Sequence, residues 1–259
     1  MKPIPLSASA QQAKMFHVKH HTRILTPAWV TAGAAEVGVS ITAWQAQQLV
    51  RHAHLVLEWN SSRNLTRIVD PDDVCVLHVV DSLAFLPHFP QLRGRMIDLG
   101  SGAGYPGIPL AILGHDVTLC ESVQKKAAFL EHAVVALGLQ TWVFAGRAED
   151  LARTQPGTFD VVVARAVSSL ASLTELAAPL LREGGHLVAL KGVPDAAEYE
   201  RGRAAGASVG MQEIARKRYV LQRGEERTAV QYLRQGPVQV RLPRRAGMAQ
   251  RHPLGAAAP

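Results

Sequence analysis

Asp98-Leu99-Gly100-Ser101-Gly102-Ala103-Gly104-Tyr105-Pro106-Gly107 is the stretch on which the reading of this 259-residue chain turns. It follows a short apolar run, residues 95–99, that reads as a strand, and it precedes a helix predicted over residues 107–113. Glycines alternating at a strand end allow positive φ angles. Lacking Cβ atoms, they also let a ligand come close to the backbone, while the following helix offers free N–H groups. In an open parallel sheet, ligands bind outside the carboxyl ends of the strands, where the strand order reverses. The first strand-to-helix loop belongs at that place.

Gly102-x-Gly104-x-x-Gly107 also satisfies the dinucleotide fingerprint, so the ligand has to be decided by other residues. Two carboxylates supply the distinction: Asp98 beside the loop, and Glu121 at the end of the next strand, 21 positions after Gly100. Glu121 suits ribose hydroxyls in either case. Asp98 would repel a pyrophosphate but attract a ligand carrying ammonium and sulfonium charges. That points to S-adenosyl-L-methionine held by Gly100, Gly102, Gly104 and Glu121. No Gly-Lys-Ser or Gly-Lys-Thr follows the glycines, which excludes a P-loop nucleotide hydrolase.

Outward from the loop the chain alternates. Strands are predicted over residues 115–121, 141–145, 159–166 and 185–191. Helices or turns lie between them at 123–137, 149–152 and 169–182. Such a series demands an α/β fold with a parallel sheet covered by helices on both faces. After a helical stretch around 194–205, two β-rich runs, 218–222 and 228–233, read as a hairpin that closes the sheet with an antiparallel strand. Upstream, helices are predicted from Ser40 to Trp59 and from Pro71 to Leu86, the second placing His78 and Asp81 one turn apart. The organisation expected is a flexible leader over 1–36, an N-terminal helical segment over 37–90, the Rossmann-like domain over 91–236 and a basic tail over 237–259. His17, His20 and His21 have helix-like spacing, but with no carboxylate or Cys beside them no metal site is expected.

Composition bounds the class. Apolar residues make up 47% and charged residues 19%, which fits a globular chain and excludes disorder or a collagen-like repeat. No apolar run is long enough for a membrane helix and the N-terminus lacks a secretory apolar core, so the expectation is a cytoplasmic protein. Cys75 and Cys120, 45 residues apart, offer neither a disulfide framework nor a CxxC pair. The net charge of +7 is localised. Residues 1–200 hold 16 Lys and Arg against 18 Asp and Glu, and residues 201–259 hold 12 against 3. The cationic C-terminal part, with Arg216, Lys217, Arg218, Arg241, Arg244, Arg245 and Arg251, suits a polyanion such as nucleic acid, or is a solvated tail.

The chemistry narrows by what is missing. Ala148 and Glu149 follow the third strand, where a small residue packs on adenine and a neighbouring group reads its exocyclic nitrogen. Arg165 ends the fourth strand, facing the ligand mouth, where a guanidinium grips a methionine carboxylate, an RNA phosphate or a nearby acid. An Asp/Asn-Pro-Pro-aromatic motif, usual for adenine amino methylation, is replaced there by Ala164-Arg165-Ala166. Methylation at pyrimidine C5 needs a Cys nucleophile, and neither Cys is suitably placed. Transfer to an atom with a free lone pair remains, and guanine N7 is one; it needs no general base, only positioning of two reactants.

At this point Asn64-Leu65-Thr66, His78-Val79-Val80-Asp81-Ser82-Leu83, residues 98–109, Glu121-Ser122 with Lys125-Lys126 and Phe129-Leu130, Arg147-Ala148-Glu149, Arg165-Ala166 with Ser168, and Leu190-Lys191-Gly192 resemble the bacterial 16S ribosomal RNA guanine-N7 methyltransferase family, also called glucose-inhibited division protein B. Arg241-Leu242-Pro243-Arg244-Arg245-Ala246-Gly247 is similar to the basic tail of many members. The resemblance runs from about Val39 to the C-terminus. It implies a class I methyltransferase fold, Rossmann-like, with a mostly parallel seven-stranded sheet, one antiparallel strand and an N-terminal helical extension. It further implies methyl transfer to N7 of one guanine in a decoding-region hairpin of 16S rRNA, nucleotide 527 in the family's numbering. Its cofactor contacts fall by position on Gly100, Tyr105, Ala148, Glu149 and Arg165; Tyr105 stands where Leu or Phe is usual and Glu121 where Asp is usual. Arg244 and Arg245 are expected to hold phosphates of 16S rRNA or the small ribosomal subunit, with the protein acting as a monomer. Two other readings stay open: a nicotinamide-dependent oxidoreductase, and a non-catalytic RNA-binding assembly factor.

Overall fold

The structure, a computed structural model, describes residues 25–255. His17, His20 and His21 lie outside the described residues. Two long helices, a composite helical span and a short 3-10 turn (Leu86–His88) precede the first strand. Helix α1 (Pro27–Glu36) occupies part of the stretch read as a leader. Pro27 takes the first helical position, where its missing N–H is no loss, and the Thr26 hydroxyl caps Trp29. Val30 and Ala34 are fully buried, so residues 27–36 are a packed element and the leader reading fails for them. Pro27, which would break a helix at an interior position, starts this one.

Helix α2 (Ala43–Arg63) opens with a reciprocal capping box between Thr42 and Gln45 and ends on Asn64 in the left-handed conformation. The next helical span is composite. Helix α3 (Pro71–Val74) and α4 (Asp81–Leu83) flank a π-helical segment, Cys75–Val80. π-turns inside helices recur at functional sites, and this one carries His78 on its inner face, 9% exposed.

The sheet has seven strands in the order β3-β2-β1-β4-β5-β7-β6. These are β1 (Met96–Leu99), β2 (Val117–Cys120), β3 (Trp142–Phe144), β4 (Phe159–Arg165), β5 (Leu181–Lys191), β6 (Met211–Val220) and β7 (Glu226–Arg234). Strands β1 to β5 are parallel, and β7 lies antiparallel between β5 and β6. The strand order reverses between β1 and β4. The connecting helices are α5 (Gly107–Ile112), α6 (Gln124–Leu137), α7 (Ala148–Thr154), α8 (Leu170–Ala177) and α9 (Ala196–Ser208). The class read from the sequence, α/β with a mostly parallel seven-stranded sheet and N-terminal helices, is the one observed. The hairpin starts earlier than residue 218. Strand β6 is an edge strand rich in charge, and its first seven residues, Met211–Lys217, include too few apolar ones to show as a β-run.

Alternate residues of each central strand feed two cores. Met96, Leu119, Val161, Val163 and Val188 face the layer made by α1, α2, α5 and α6, which includes Leu49, Val56 and Phe129. Ile97, Leu99, Val162, Leu187 and Tyr232 face α7, α8 and α9. The N-terminal helices are therefore one of the two covering layers of the sheet. Among the described residues no helix is long and apolar enough to cross a membrane.

Candidate functional site

The glycine loop leaves β1 at the reversal of strand order. Gly100, Gly102 and Gly104 have φ of +70°, +58° and +89°. At Gly100 the conformation and the space both require glycine, since a Cβ there would meet Val167 Cγ2 at 2.7 Å. The loop is tied to β2: the N–H groups of Gly100 and Ser101 donate to the Cys120 carbonyl at 2.8 and 3.1 Å. Glu121 completes the tie. Its Oε2 accepts from the Gly102 N–H at 2.9 Å and its Oε1 from the Val123 N–H at 2.8 Å. Each carboxylate oxygen keeps further acceptor capacity.

Asp98 is 1% exposed. Its Oδ2 accepts from the Gly107 N–H at 3.0 Å, and Oδ1, equally buried, has no hydrogen-bond partner among the described residues. Burial pushes the carboxyl up to about 7, against which the Gly107 hydrogen bond acts. An orphaned, desolvated acceptor beside a strand-end glycine loop is the group that a bound ammonium would satisfy. The donor and acceptor set therefore fits S-adenosyl-L-methionine.

Beyond the loop a narrow cleft runs toward β3. Gly100 and Val167 form one side, Cys120, Gly146 and Ala148 the other, and Leu176 and Gln250 close it. Glu149 lines it too and is buried, its Oε1 accepting from the Gly247 N–H at 2.7 Å. Cys120 donates weakly to the Gly146 carbonyl at 3.7 Å. Burial lifts its thiol to about 12, as it does that of Cys75, so neither is a thiolate at neutral pH.

Arg165 ends β4 as expected and, of the partners the sequence left open for it, meets a nearby acid. Arg165 lines a neighbouring cavity of about 330 Å³ at the ends of β4, β5 and β7, together with Leu77, His78, Asp81, Lys191 and Arg227. Its guanidinium donates to the Leu77 carbonyl at 3.1 Å and to Asp81 Oδ2 at 3.3 Å, and approaches His78 Nδ1 at 3.3 Å. Arg227 Nε reaches the same Asp81 carboxylate at 3.1 and 3.2 Å. Thr66 Oγ1 lies 2.9 Å from His78 Nε2 and holds the ring from behind. Tyr105 is buried, with its ring stacked on His78 at 4.6 Å and Arg165 over its face. Burial and the adjacent Arg165 lower His78 to about 3, and burial lowers His52 to about 3, so both rings are neutral at pH 7. Ala166, next to Arg165, holds φ of +55°, a conformation non-glycine residues rarely adopt and one that clusters at functional sites.

His78 and Asp81, one turn apart, are both reached by Arg165, which lies 84 residues from Asp81 in the chain. Arg227 escaped the sequence reading. It opens the second strand of a hairpin, and no motif marks it. Of the two tail arginines, Arg245 is exposed, whereas Arg244 is already partnered. Its Nε and Nη2 reach Glu175 Oε1 and Oε2 at 2.6 and 2.5 Å, and Nη2 also donates to the His252 carbonyl. Arg244, expected to hold an RNA phosphate, is here engaged within the chain: a carboxylate only 3% exposed binds the guanidinium fork on two atoms and anchors the tail.

Comparison with known proteins agrees with this fold. Solved structures with the same fold include a SAM-dependent methyltransferase from Leishmania major (TM-score 0.52, 14% identity, covering 70% of this chain and 82% of that one). Another is a 1,6-didemethyltoxoflavin N1-methyltransferase from Burkholderia thailandensis, which holds S-adenosylhomocysteine (TM-score 0.50, 15% identity, 71% and 89% covered). Among sequences, the chain is 38% identical over 226 residues to the ribosomal RNA small subunit methyltransferase G of Roseiflexus castenholzii, covering 85% of this chain and 97% of that protein. It is 34% identical over 237 residues to the protein of the same name from Streptococcus thermophilus, covering 89% and 100%. A model of the GidB family, described as rRNA small subunit methyltransferase G, matches residues 45–227. With a family model matched over residues 45–227 and relatives 34–38% identical over most of its length, the chain belongs to the GidB family of small-subunit ribosomal RNA methyltransferases.

Proposed function

We propose that this protein transfers the methyl group of S-adenosyl-L-methionine to N7 of one guanine in 16S rRNA, in the decoding-region hairpin at the position the family numbers 527. The observation that carries the reading is the pairing of two sites across the end of β4. One is the glycine loop with its cleft between Gly100 and Ala148, under which Asp98 Oδ1 lies buried and orphaned; the other is the cavity rimmed by Arg165, Lys191 and Arg227. Asp98 would hold the cofactor's ammonium, Glu121 its ribose hydroxyls, and the cleft wall at Ala148 and Glu149 its adenine. When bound, the cofactor supplies an electrophilic methyl on sulfonium. The cavity walls at Leu77 and Leu190 suit a flat base, and its guanidinium rim suits the attached phosphate.

Guanine N7 already bears the attacking lone pair, so the protein has no proton to remove. The site is consistent with that. His52 and His78 are buried and held by packing, and Cys120 is a protonated thiol. Catalysis then rests on alignment of the acceptor nitrogen with the methyl group. We further propose that the enzyme works in the cytoplasm as a monomer on rRNA within the small subunit. Membership of the family removes the motive for a nicotinamide-dependent oxidoreductase.

The test is methyl transfer from radiolabelled S-adenosyl-L-methionine to small ribosomal subunits lacking this modification, mapped by reduction and aniline cleavage. A single cut at one guanine is expected. Absence of label on subunits and on naked rRNA, from protein that binds the cofactor, would overturn the acceptor assignment and favour an assembly factor.

A further inference from the structure

The cleft beside Glu121 offers only about 60 Å³, far below the several hundred Å³ that a ligand of nucleoside size fills. One wall must therefore yield for a cofactor to enter. The inner walls are fixed, because the glycine loop is tied to the end of β2 by three hydrogen bonds and Ala148 opens α7. The outer wall is different. It is Gln250, on the short helix α10 (Met248–Arg251) of the C-terminal segment.

That segment leaves β7 and returns across α8 without pairing to any strand of the sheet. Its first part is held by backbone hydrogen bonds, as from the Gln239 N–H to the Ser208 carbonyl, but the anchors of residues 244–251 involve side chains: the Arg244 fork on buried Glu175, the Gly247 N–H on Glu149, and the Ser172 hydroxyl on the Ala249 carbonyl at 2.8 Å. Ala249 is 2% exposed against α8, so the seat is packed. Segments held this way open locally without disturbing the hydrogen-bonded sheet. One anchor, Glu149, is itself a wall of the cleft, so the seating of the tail and the shape of the adenine end are mechanically linked.

We propose that residues 244–251 are the movable outer wall of the cofactor cleft, released to admit S-adenosyl-L-methionine and reseated over it, with Gln250 as a cofactor-binding residue. This rests on the cofactor reading above. The Gln250 amide carries both donors and an acceptor, the equipment to read an adenine edge or a ribose hydroxyl. The Arg244–Glu175 pair acts as a positioning latch.

The test measures release of tritiated S-adenosylhomocysteine from the full-length protein after a chase with unlabelled ligand, by rapid filtration. Gln250→Ala is expected to speed release about fivefold, the loss of one good hydrogen bond. Arg244→Gln is expected to speed it about tenfold or more by freeing the latch, whereas Glu131→Ala, on the exposed side of α6, leaves it unchanged. Release from Gln250→Ala at the wild-type rate overturns the proposal. Because Arg244→Gln strands Glu175 and can impair folding, amide hydrogen exchange on the wild type supplies a second measure. Residues 244–251 should exchange at least fivefold more slowly with the ligand than without, and equal exchange also overturns the proposal. Wild-type protein that fails to bind the ligand at all would instead refute the cofactor reading itself.

Discussion

Replacing Asp81 by Asn removes the carboxylate shared by Arg165 and Arg227, which approach it at 3.3 and 3.1 Å. The three side chains are 7%, 13% and 21% exposed, so solvent screens them little. A unit charge pair about 4 Å apart is worth up to roughly 4 kcal/mol at an effective dielectric of about 20, but desolvation offsets much of it in the intact site. Removing only the anion leaves two guanidiniums facing each other across a neutral amide. Losses from breaking buried pairs this way are about 3–5 kcal/mol. We expect Asp81→Asn to lower stability by about 3 kcal/mol and the melting temperature by roughly 6–12 °C. The assay is urea unfolding followed by far-UV circular dichroism, run as a double-mutant cycle with Arg165→Met. Removing one repelling guanidinium should restore part of the loss, giving a coupling of at least about 1 kcal/mol. Additive effects, or an Asp81→Asn cost under about 1 kcal/mol, would refute the reasoning that this carboxylate holds the two arginines.

Asp98 has its folded-state value raised to about 7 from 3.8, so the folded protein binds the extra proton between those values. Its contribution to stability is therefore complete below about pH 4 and lost as pH rises through 7. Stability of Asp98→Asn relative to wild type should accordingly rise between pH 4 and 7, by up to about 4 kcal/mol, and a pH-independent difference would contradict the burial argument. Binding of S-adenosylhomocysteine below pH 7 should release a proton from Asp98, detected as a dependence of calorimetric heat on buffer ionisation enthalpy. Gly100→Ala forces a Cβ to 2.7 Å from Val167 in a left-handed backbone, and should lose about 1–3 kcal/mol of stability together with cofactor affinity. Arg245→Ala should reduce the salt slope of RNA binding by about one, the loss of one phosphate contact. Arg244→Ala should instead show its main effect as a lower melting temperature, by stranding Glu175.

The sheet was legible because residues 95–191 alternate apolar runs with helical periods, and because Asp98, Gly100 and Glu121 sit at fixed offsets from strand ends. Strand β6 was only half visible, since edge strands are charged and resemble loops. The site was legible where one chain segment builds it, as at the glycine loop and at Ala148–Glu149. It was not where distant residues meet. Nothing local to Arg244 announces Glu175, 69 positions earlier, and nothing local to Arg227 announces Asp81, 146 positions earlier. A basic residue in a basic tail reads as an RNA contact until its partner is seen. Pro27 misled for a related reason: proline favours a helix start as much as it forbids a helix interior, and only the packing of Val30 and Ala34 separates the two cases.

The strand order also bears on how the chain is made. Strand β7 is the last to leave the ribosome, yet it sits between β5 and β6. Until it arrives, β5 has one open edge and β6 has no partner at all. An apolar strand waiting in that state would invite association with other nascent chains. Gln212, Glu213, Arg216, Lys217 and Arg218 make β6 a strand that tolerates the wait in water. The charge on this outer edge thus protects the half-made protein during synthesis, whatever it contributes once the sheet is complete.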